Sequence, residues 1–214
     1  MTIQVIFNTA QSIEIDRRKI VGQTVSRSER IRVAERASGN AFKFTVTPLA
    51  RFKYSDVRGV IESIQSYDRK EEQTISLSAI PKLNYLTQYQ GSCSLAQLNA
   101  MTITNFSSAT ITIGTLPSVS TATVLFRAGD WIQPQQSRYP YIVSTDVLRG
   151  STSTVEVSVH RNRITSEAVT ITGPIYVGTA TTLKVIVSEL PTYRLVNNNF
   201  AEFTGNFTVV ERIV

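Results

Sequence analysis

The chain has 214 residues, of which 42% are hydrophobic and 18% charged, and its net charge is +6 with an isoelectric point near 9.6. This composition excludes an intrinsically disordered chain, and the length suffices for one large β domain or two small ones. With Cys93 as its single cysteine the chain cannot form an internal disulfide, which excludes a disulfide-based scaffold and favours a reducing place of assembly.

The positive charge alone does not select a partner. A basic balance suits nucleic acid, a membrane surface or an acidic protein, and it equally suits plain solubility. No stretch of the sequence approaches the roughly 18 uninterrupted apolar residues of a membrane helix. The first eight residues also lack the basic region and apolar core of a secretory signal. We therefore expect no membrane association.

Alternation of apolar and polar residues predicts many short strands. Serine and threonine are abundant, and threonine often alternates with valine, isoleucine or leucine, a pattern that suits a half-buried strand. The predicted strand segments, in chain order, are 3–7, 13–20, 42–47, 74–78, a hairpin over 100–113, 121–126, 139–147, 154–159, 175–179, 183–187 and 200–210. About ten short strands at this spacing predict a mainly β fold, either a β-barrel or a sandwich.

One segment predicts an α-helix instead. Over about residues 55–67, four apolar side chains follow the i, i+3, i+4, i+7 spacing of one helix face: Val57, Val60, Ile61 and Ile64. The negative charge of Asp56 suits the first turn of such a helix. We therefore expect one helix flanking a single β-rich domain of residues 1–214, with a weak subdivision near residue 117.

The strongest charged feature is the stretch from residue 16 to residue 36. It holds seven basic residues and the three acids Asp16, Glu29 and Glu35. No aromatic residue lies between 17 and 36, which argues against an oligonucleotide groove that stacks bases. Arginine pairs well with carboxylates at protein interfaces. The predicted interface residues are Arg27, Arg30, Arg32 and Arg36.

No arrangement of residues predicts catalysis, a cofactor or a metal site. His160 is the only histidine, and we expect it at the surface or at a strand end. Cys93 is expected to be a small, partly buried side chain. Glu71 and Glu72 lie in a charged loop, and the hypothesis for a ring is that this loop and the arginine-rich stretch supply its two opposite contact faces. Asp130 is expected to bond backbone amides in a turn. The sequence therefore predicts a protein that is not an enzyme.

The run from Phe126 to Val147 combines a turn at Ala128-Gly129-Asp130 with alternating apolar residues in the second arm. This run resembles a segment of tail and baseplate proteins of tailed bacteriophages. Three other segments occur in the matching order: residues 23–30, the strand over 42–48, and the predicted helix with Arg58. The resemblance extends over about two-thirds of the chain, and residues 81–120 and 165–214 add nothing to it.

The resemblance implies a β-barrel or sandwich with one flanking helix, assembled as a ring around the tail channel. It implies a virion structural protein of the tail-tube, distal-tail or baseplate type, assembled in the host cytoplasm and located in the virion tail. The partners would be other tail or baseplate subunits and further copies of the chain. Nucleic acid would be met only as DNA passing through the channel, and neither enzymatic activity nor a cofactor is implied.

Two other classes of function stay open at this point. The first is a nucleic-acid-binding barrel of the OB type, which would use the aromatic and basic residues of 42–44 and 51–54. The second is a carbohydrate-binding or capsid-decorating sandwich. This alternative requires an exposed aromatic side chain beside amides, and Trp131 with Gln133, Gln135 and Gln136 is its candidate.

Overall fold

The computed structural model describes residues 3–17, 21–25, 31–35, 41–66, 70–164, 171–197 and 199–213. In these ranges the chain is mainly β, as predicted. The helices are α1 (Gln4–Asn8), α2 (Tyr54–Ser66), α3 (Asn84–Thr87) and α4 (Leu95–Ala100). The strands are β1 (Ser12–Asp16), β2 (Val21–Val25), β3 (Ile31–Glu35), β4 (Lys43–Thr47), β5 (Phe52–Lys53), β6 (Gln73–Ser76), β7 (Thr102–Ser107), β8 (Thr110–Gly114), β9 (Val124–Phe126), β10 (Trp131–Pro134), β11 (Tyr141–Ile142), β12 (Val147–Leu148), β13 (Val155–Ser158), β14 (Gly173–Val177), β15 (Thr182–Glu189), β16 (Tyr193–Val196), β17 (Phe200–Phe203) and β18 (Phe207–Glu211).

The predicted flanking helix is confirmed as α2. Its four predicted apolar residues are all buried, each at most 2% exposed. By contrast, the prediction of a strand over 3–7 was wrong, because this segment forms α1. Ile3, Ile6 and Phe7 are fully buried there, and their i, i+3, i+4 spacing places them on one face of a helix. Burial of that face outweighs the weak alternation that suggested a strand.

Other predicted strands are present but more finely divided. Residues 200–210 form the two strands β17 and β18, with Gly205 between them, rather than one closing strand. Residues 139–147 contribute β11 and the start of β12. The hairpin over 100–113 is confirmed as β7 and β8, which pair antiparallel. Ser108 in its turn adopts a left-handed conformation with φ of 52°.

Two larger sheets organise the strands. The five-stranded sheet has the order β1-β4-β18-β15-β6, so that β4 from the first quarter of the chain pairs with β18 near its end. The six-stranded sheet has the order β11-β10-β14-β7-β8-β13 and comes from the middle of the chain. Smaller sheets are β16-β17-β5, β12-β9 and β2-β3.

Two hydrophobic clusters lie on these sheets. The first cluster joins the five-stranded sheet to α1 and α2, and the second joins the six-stranded sheet to α4. Most of the second cluster comes from residues 89–177, although Trp131 and Ile142 from this part of the chain belong to the first cluster. The single domain with a weak subdivision near residue 117 stays a prediction.

Candidate assembly interface

The chain between β1 and β4 contains a second antiparallel strand pair. Strands β1 and β4 pair from Ser12–Thr47 to Asp16–Lys43, and β2 pairs with β3. The segment from β1 to β4 is called the ribbon, and β2 with β3 is its outer part. In the described part of the chain, β2 and β3 form a sheet of their own and pair with no other strand. An isolated two-stranded hairpin is at best marginally stable in water. This outer part of the ribbon is therefore expected to need a partner.

The predicted interface arginines belong to this ribbon. Arg32 lies in β3, in register with Thr24 of β2. Arg27, Arg30 and Arg36 lie outside the described residues. Arg17, which follows β1, is described and is exposed to solvent. The acidic loop at Glu71 and Glu72 is predicted to supply the opposite contact face. Of this loop, Glu72 already pairs within the chain with Arg138 and, at 4.0 Å, with Lys184.

The Ala-Gly-Asp turn has the structural role predicted for it. The Asp130 carboxylate accepts hydrogen bonds from the backbone N–H groups of Gln90 and Arg127, both at 2.8 Å. Gly129 has φ of 101°, a conformation that favours glycine. Burial raises the pKa of Asp130 above its ordinary value, although the two amide bonds oppose that shift. The carboxylate therefore fixes the turn.

A second carboxylate, Asp146, also binds residues of this turn and is half exposed to solvent. One of its oxygens accepts a hydrogen bond from the backbone N–H of Ala128 at 2.8 Å. The other pairs with the Arg127 guanidinium at 3.2 Å, with both side chains half exposed. Sequence analysis had placed Asp146 only in the motif and had assigned it no role.

A buried ion pair joins the two sheets. The Arg161 guanidinium donates to both carboxylate oxygens of Glu211, at 2.7 and 2.8 Å, and neither side chain is exposed. It also donates to the carbonyl of Pro140 at 2.7 Å and lies over the Phe42 ring at 5.3 Å. Such a bidentate pair is strongly directional. It connects the end of the six-stranded sheet to the central strand β18.

His160 and Cys93 are both partly buried within the fold. His160 follows β13, where its Nδ1 accepts a hydrogen bond from Ile142 N–H at 2.9 Å. Its strand-end position is confirmed, but the side chain is partly buried rather than at the surface. Burial, together with the neighbouring Arg161 charge, lowers the pKa of His160 to about 3. Cys93 is half-buried, as predicted, and its backbone N–H donates to the Tyr89 hydroxyl at 3.1 Å.

The aromatic side chains required by the two alternative functions are largely buried. Trp131 is 2% exposed and stacks on Phe42 with ring centroids 4.9 Å apart. Gln133 is buried beside it and bonds the backbone of Ser137 and of residue 182. Trp131 is therefore a core residue and offers no sugar-stacking surface. For the OB-type alternative, Phe42, Phe44 and Phe52 are all buried as well.

An open groove lies between β12 and β13. Its volume is about 520 Å³, and its lining residues are Thr145, Asp146, Val147, Leu148, Gly150, Thr152, Thr154, Val155 and Glu156. Two carboxylates line the groove, Asp146, which pairs with Arg127, and Glu156. The Arg149 guanidinium donates to the carbonyls of the lining residues Gly150 and Thr152, so Glu156 is the lining carboxylate without an ion pair among the described residues. No local sequence pattern predicts the groove, because the groove exists only where β12 and β13 separate in space.

In the described ranges, no group of three or more histidine, cysteine, aspartate or glutamate side chains could hold a metal ion. Nor does any helix in those ranges have the length and hydrophobicity to cross a membrane. Comparison of the chain with protein-family models gives no match, and comparison with curated protein sequences gives none either. Its function must therefore be inferred from the geometry of the chain itself.

Proposed function

We propose that the chain is a non-enzymatic structural subunit of a bacteriophage tail or baseplate, and that copies of it assemble into a ring around the tail channel. The observation that carries this proposal is the outer part of the ribbon, β2 with β3, which pairs with no further strand among the described residues. Because a free two-stranded hairpin is marginal in water, its stability is best explained by contact with a neighbouring subunit.

The charge of the ribbon supports the same proposal. Arg27, Arg30, Arg32 and Arg36 lie in or beside its two strands, and arginine forks suit carboxylates on a facing protein surface. A contact between two different surfaces of identical subunits is heterologous, and such contacts close into rings when the rotation allows. The partners in this proposal are further copies and other tail or baseplate subunits, and the location is the virion tail after assembly in the host cytoplasm.

The burial of Trp131, Phe42, Phe44 and Phe52 argues against both alternatives. A carbohydrate site or a base-stacking barrel requires exposed aromatic faces, and these residues do not provide them. In the proposed role, DNA is met only as it passes through the channel.

The test is the mass of the purified full-length protein by light scattering, at low and moderate salt. We expect an oligomer several times the chain mass of 23.7 kDa, and we expect moderate salt to weaken it because exposed charge contacts are screened. Charge reversal by Arg30→Glu with Arg32→Glu should reduce the mass to that of the monomer. A matched reversal, Arg58→Glu with Arg51→Glu, should leave it unchanged, because both of these exposed residues lie outside the ribbon.

Adding a single-stranded oligonucleotide separates this proposal from the OB-type alternative. We expect no change in mass, since the structural role requires no nucleic-acid affinity. A salt-sensitive complex with the oligonucleotide would contradict the proposal and favour a nucleic-acid-binding function. If assembly persists after charge reversal at Arg30 and Arg32, the proposal that the ribbon forms the interface is contradicted.

A further inference from the structure

The groove between β12 and β13 is formed by a hairpin that opens away from its base. The base is closed by a bridge between Val143 and Val159 and by a hydrogen bond from Ser144 N–H to the Ser158 carbonyl at 2.8 Å. Beyond that point the two strands separate, because β12 pairs with β9 whereas β13 pairs with β8. The open space of about 520 Å³ lies between them.

Two strand edges therefore face the groove. In the part of the chain that the structure describes, neither β12 nor β13 pairs with another strand on the groove side. Open strand edges bind extended peptides by adding a strand, and the main chain then supplies hydrogen bonds while side-chain pockets supply specificity. The volume lies within the usual range of protein binding sites. The geometry suits an extended segment rather than a compact ligand.

Glu156 determines which charge is favourable in an extended segment bound in the groove. It is exposed in the middle of the edge strand β13, opposite Thr112 of β8, and it forms no ion pair among the described residues. Asp146, in contrast, already binds Ala128 and Arg127. Two copies that paired β13 with β13 in the register that sets Glu156 opposite Glu156 would bring like charges together, which is unfavourable. A basic residue opposite Glu156 is favourable instead.

We infer that this groove receives the arginine-rich ribbon of a second copy of the chain, with a ribbon arginine beside Glu156. The ribbon is the most basic part of the sequence, with seven basic and three acidic residues between 16 and 36, so its charge complements the exposed Glu156 carboxylate. Its strands β2 and β3 pair with no other strand in the described ranges. The inference rests on the proposed function, since it identifies the surface that accepts the ribbon.

The ribbon strands β2 and β3 and the groove strands β12 and β13 belong to different sheets. A contact between the ribbon of one copy and the groove of another is heterologous, which is the kind of contact that a closed ring requires.

Cross-linking of the full-length protein tests this contact directly. In a Cys93→Ser background, one preparation carries Glu156→Cys and a second, larger by an affinity tag, carries Arg32→Cys. After mixing and mild oxidation, we expect a mixed disulfide dimer of intermediate size on a non-reducing gel. The matched control replaces Glu156→Cys by Glu62→Cys, which lies exposed on α2. It should give at least tenfold less of the mixed dimer.

Mass measurements on charge variants provide the second readout. Glu156→Lys should weaken self-association at least tenfold, whereas Glu62→Lys, with the same change in charge, should have no effect. Combining Glu156→Lys with Arg32→Glu should restore association. Recovery in the double variant also shows that lysine at position 156 is compatible with folding.

The outcomes separate the groove from the proposed function. If the wild type forms an oligomer that Glu156→Lys does not weaken, and no selective cross-link forms, the contact between ribbon and groove is contradicted. The proposed structural role is not affected by that result. A wild-type monomer at every concentration would overturn both. A monomer that binds an unrelated arginine-rich peptide only when Glu156 is present would overturn the second copy as occupant and assign the groove to another protein.

Discussion

Glu211 and Glu156 both lie on β-strands, but they differ in burial and in ion pairing. Glu211 is buried at the junction of the two sheets, where Arg161 and the Phe42 N–H satisfy its carboxylate. Glu156 is exposed on an open strand edge and has no ion-pair partner in the described ranges. The ion pair of the junction forms within one chain, whereas Glu156 and the open edge of β13 have no partner in the described structure. The comparison indicates which polar groups serve folding and which are available for assembly.

The largest expected effect breaks the junction. Arg161→Met leaves the Glu211 carboxylate buried without its cation, so we expect a loss of about 3–5 kcal/mol in the free energy of unfolding. Chemical denaturation followed by tryptophan fluorescence measures it. Trp131 is the only tryptophan, and it stacks on Phe42 at the junction.

The double variant Arg161→Met with Glu211→Gln sharpens this prediction. Glutamine keeps an acceptor for the Phe42 N–H and carries no charge, so most of the lost stability should return. A double variant as unstable as the single one would contradict the assignment of the effect to an unpaired buried charge.

A smaller effect is expected at the Ala-Gly-Asp turn. Both carboxylate oxygens of Asp130 accept a backbone N–H, and Asp130→Asn places an amide NH₂ against one of those donors. We expect a loss of about 1–3 kcal/mol in the free energy of unfolding at pH 7. Equal stability of the variant and the wild type would show that the turn does not depend on these two bonds.

The pH dependence of stability provides a finer test of the junction. The folded pKa of His160 is lowered to about 3 from an ordinary value of 6.5. The unfolded chain therefore takes up a proton as the pH falls below about 6.5 while the folded chain does not. Full stability is present above that value and is lost progressively on acidification towards pH 3.

His160→Asn removes this titration and retains an acceptor for Ile142 N–H. Between pH 7 and pH 5, above the main titration range of the carboxylates, we expect the unfolding free energy of the wild type to fall more steeply than that of the variant. Parallel pH profiles for the two proteins would place His160 in a more solvated environment than the structure indicates.

The smallest effect on stability is expected at the groove. Because Glu156 is exposed and unpaired in the described structure, Glu156→Lys should change the free energy of unfolding by less than about 0.5 kcal/mol. The same variant should nevertheless weaken self-association. A large loss of stability in dilute solution would show that Glu156 serves folding, as Glu211 does, and would remove the contrast between the two sites.

The sequence predicts local structure better than it predicts the sites. The mainly β class and α2 follow from periodicity, because each pattern is contained in a short segment. The helix α1 was missed because five residues fit two periods equally well until burial selects one. The pairing of Arg161 with Glu211 joins residues 50 positions apart, and no local signal predicts it.

The environments of Trp131 and Glu156 show the same limit. Trp131 was a candidate for an exposed platform, yet it belongs to the core because Phe42 from a distant segment covers it. Glu156 lay in a predicted strand without a role, since only the separation of β12 from β13 exposes its edge. Charge density did identify the ribbon, because its arginines are neighbours in sequence.

Electron microscopy of the negatively stained full-length protein, concentrated at low salt, tests the central claim most directly. The account predicts closed rings of uniform diameter with a central channel, and their absence from the Arg30→Glu, Arg32→Glu protein. A field of single, monomer-sized particles, or rings that persist in the charge-reversed protein, would contradict it.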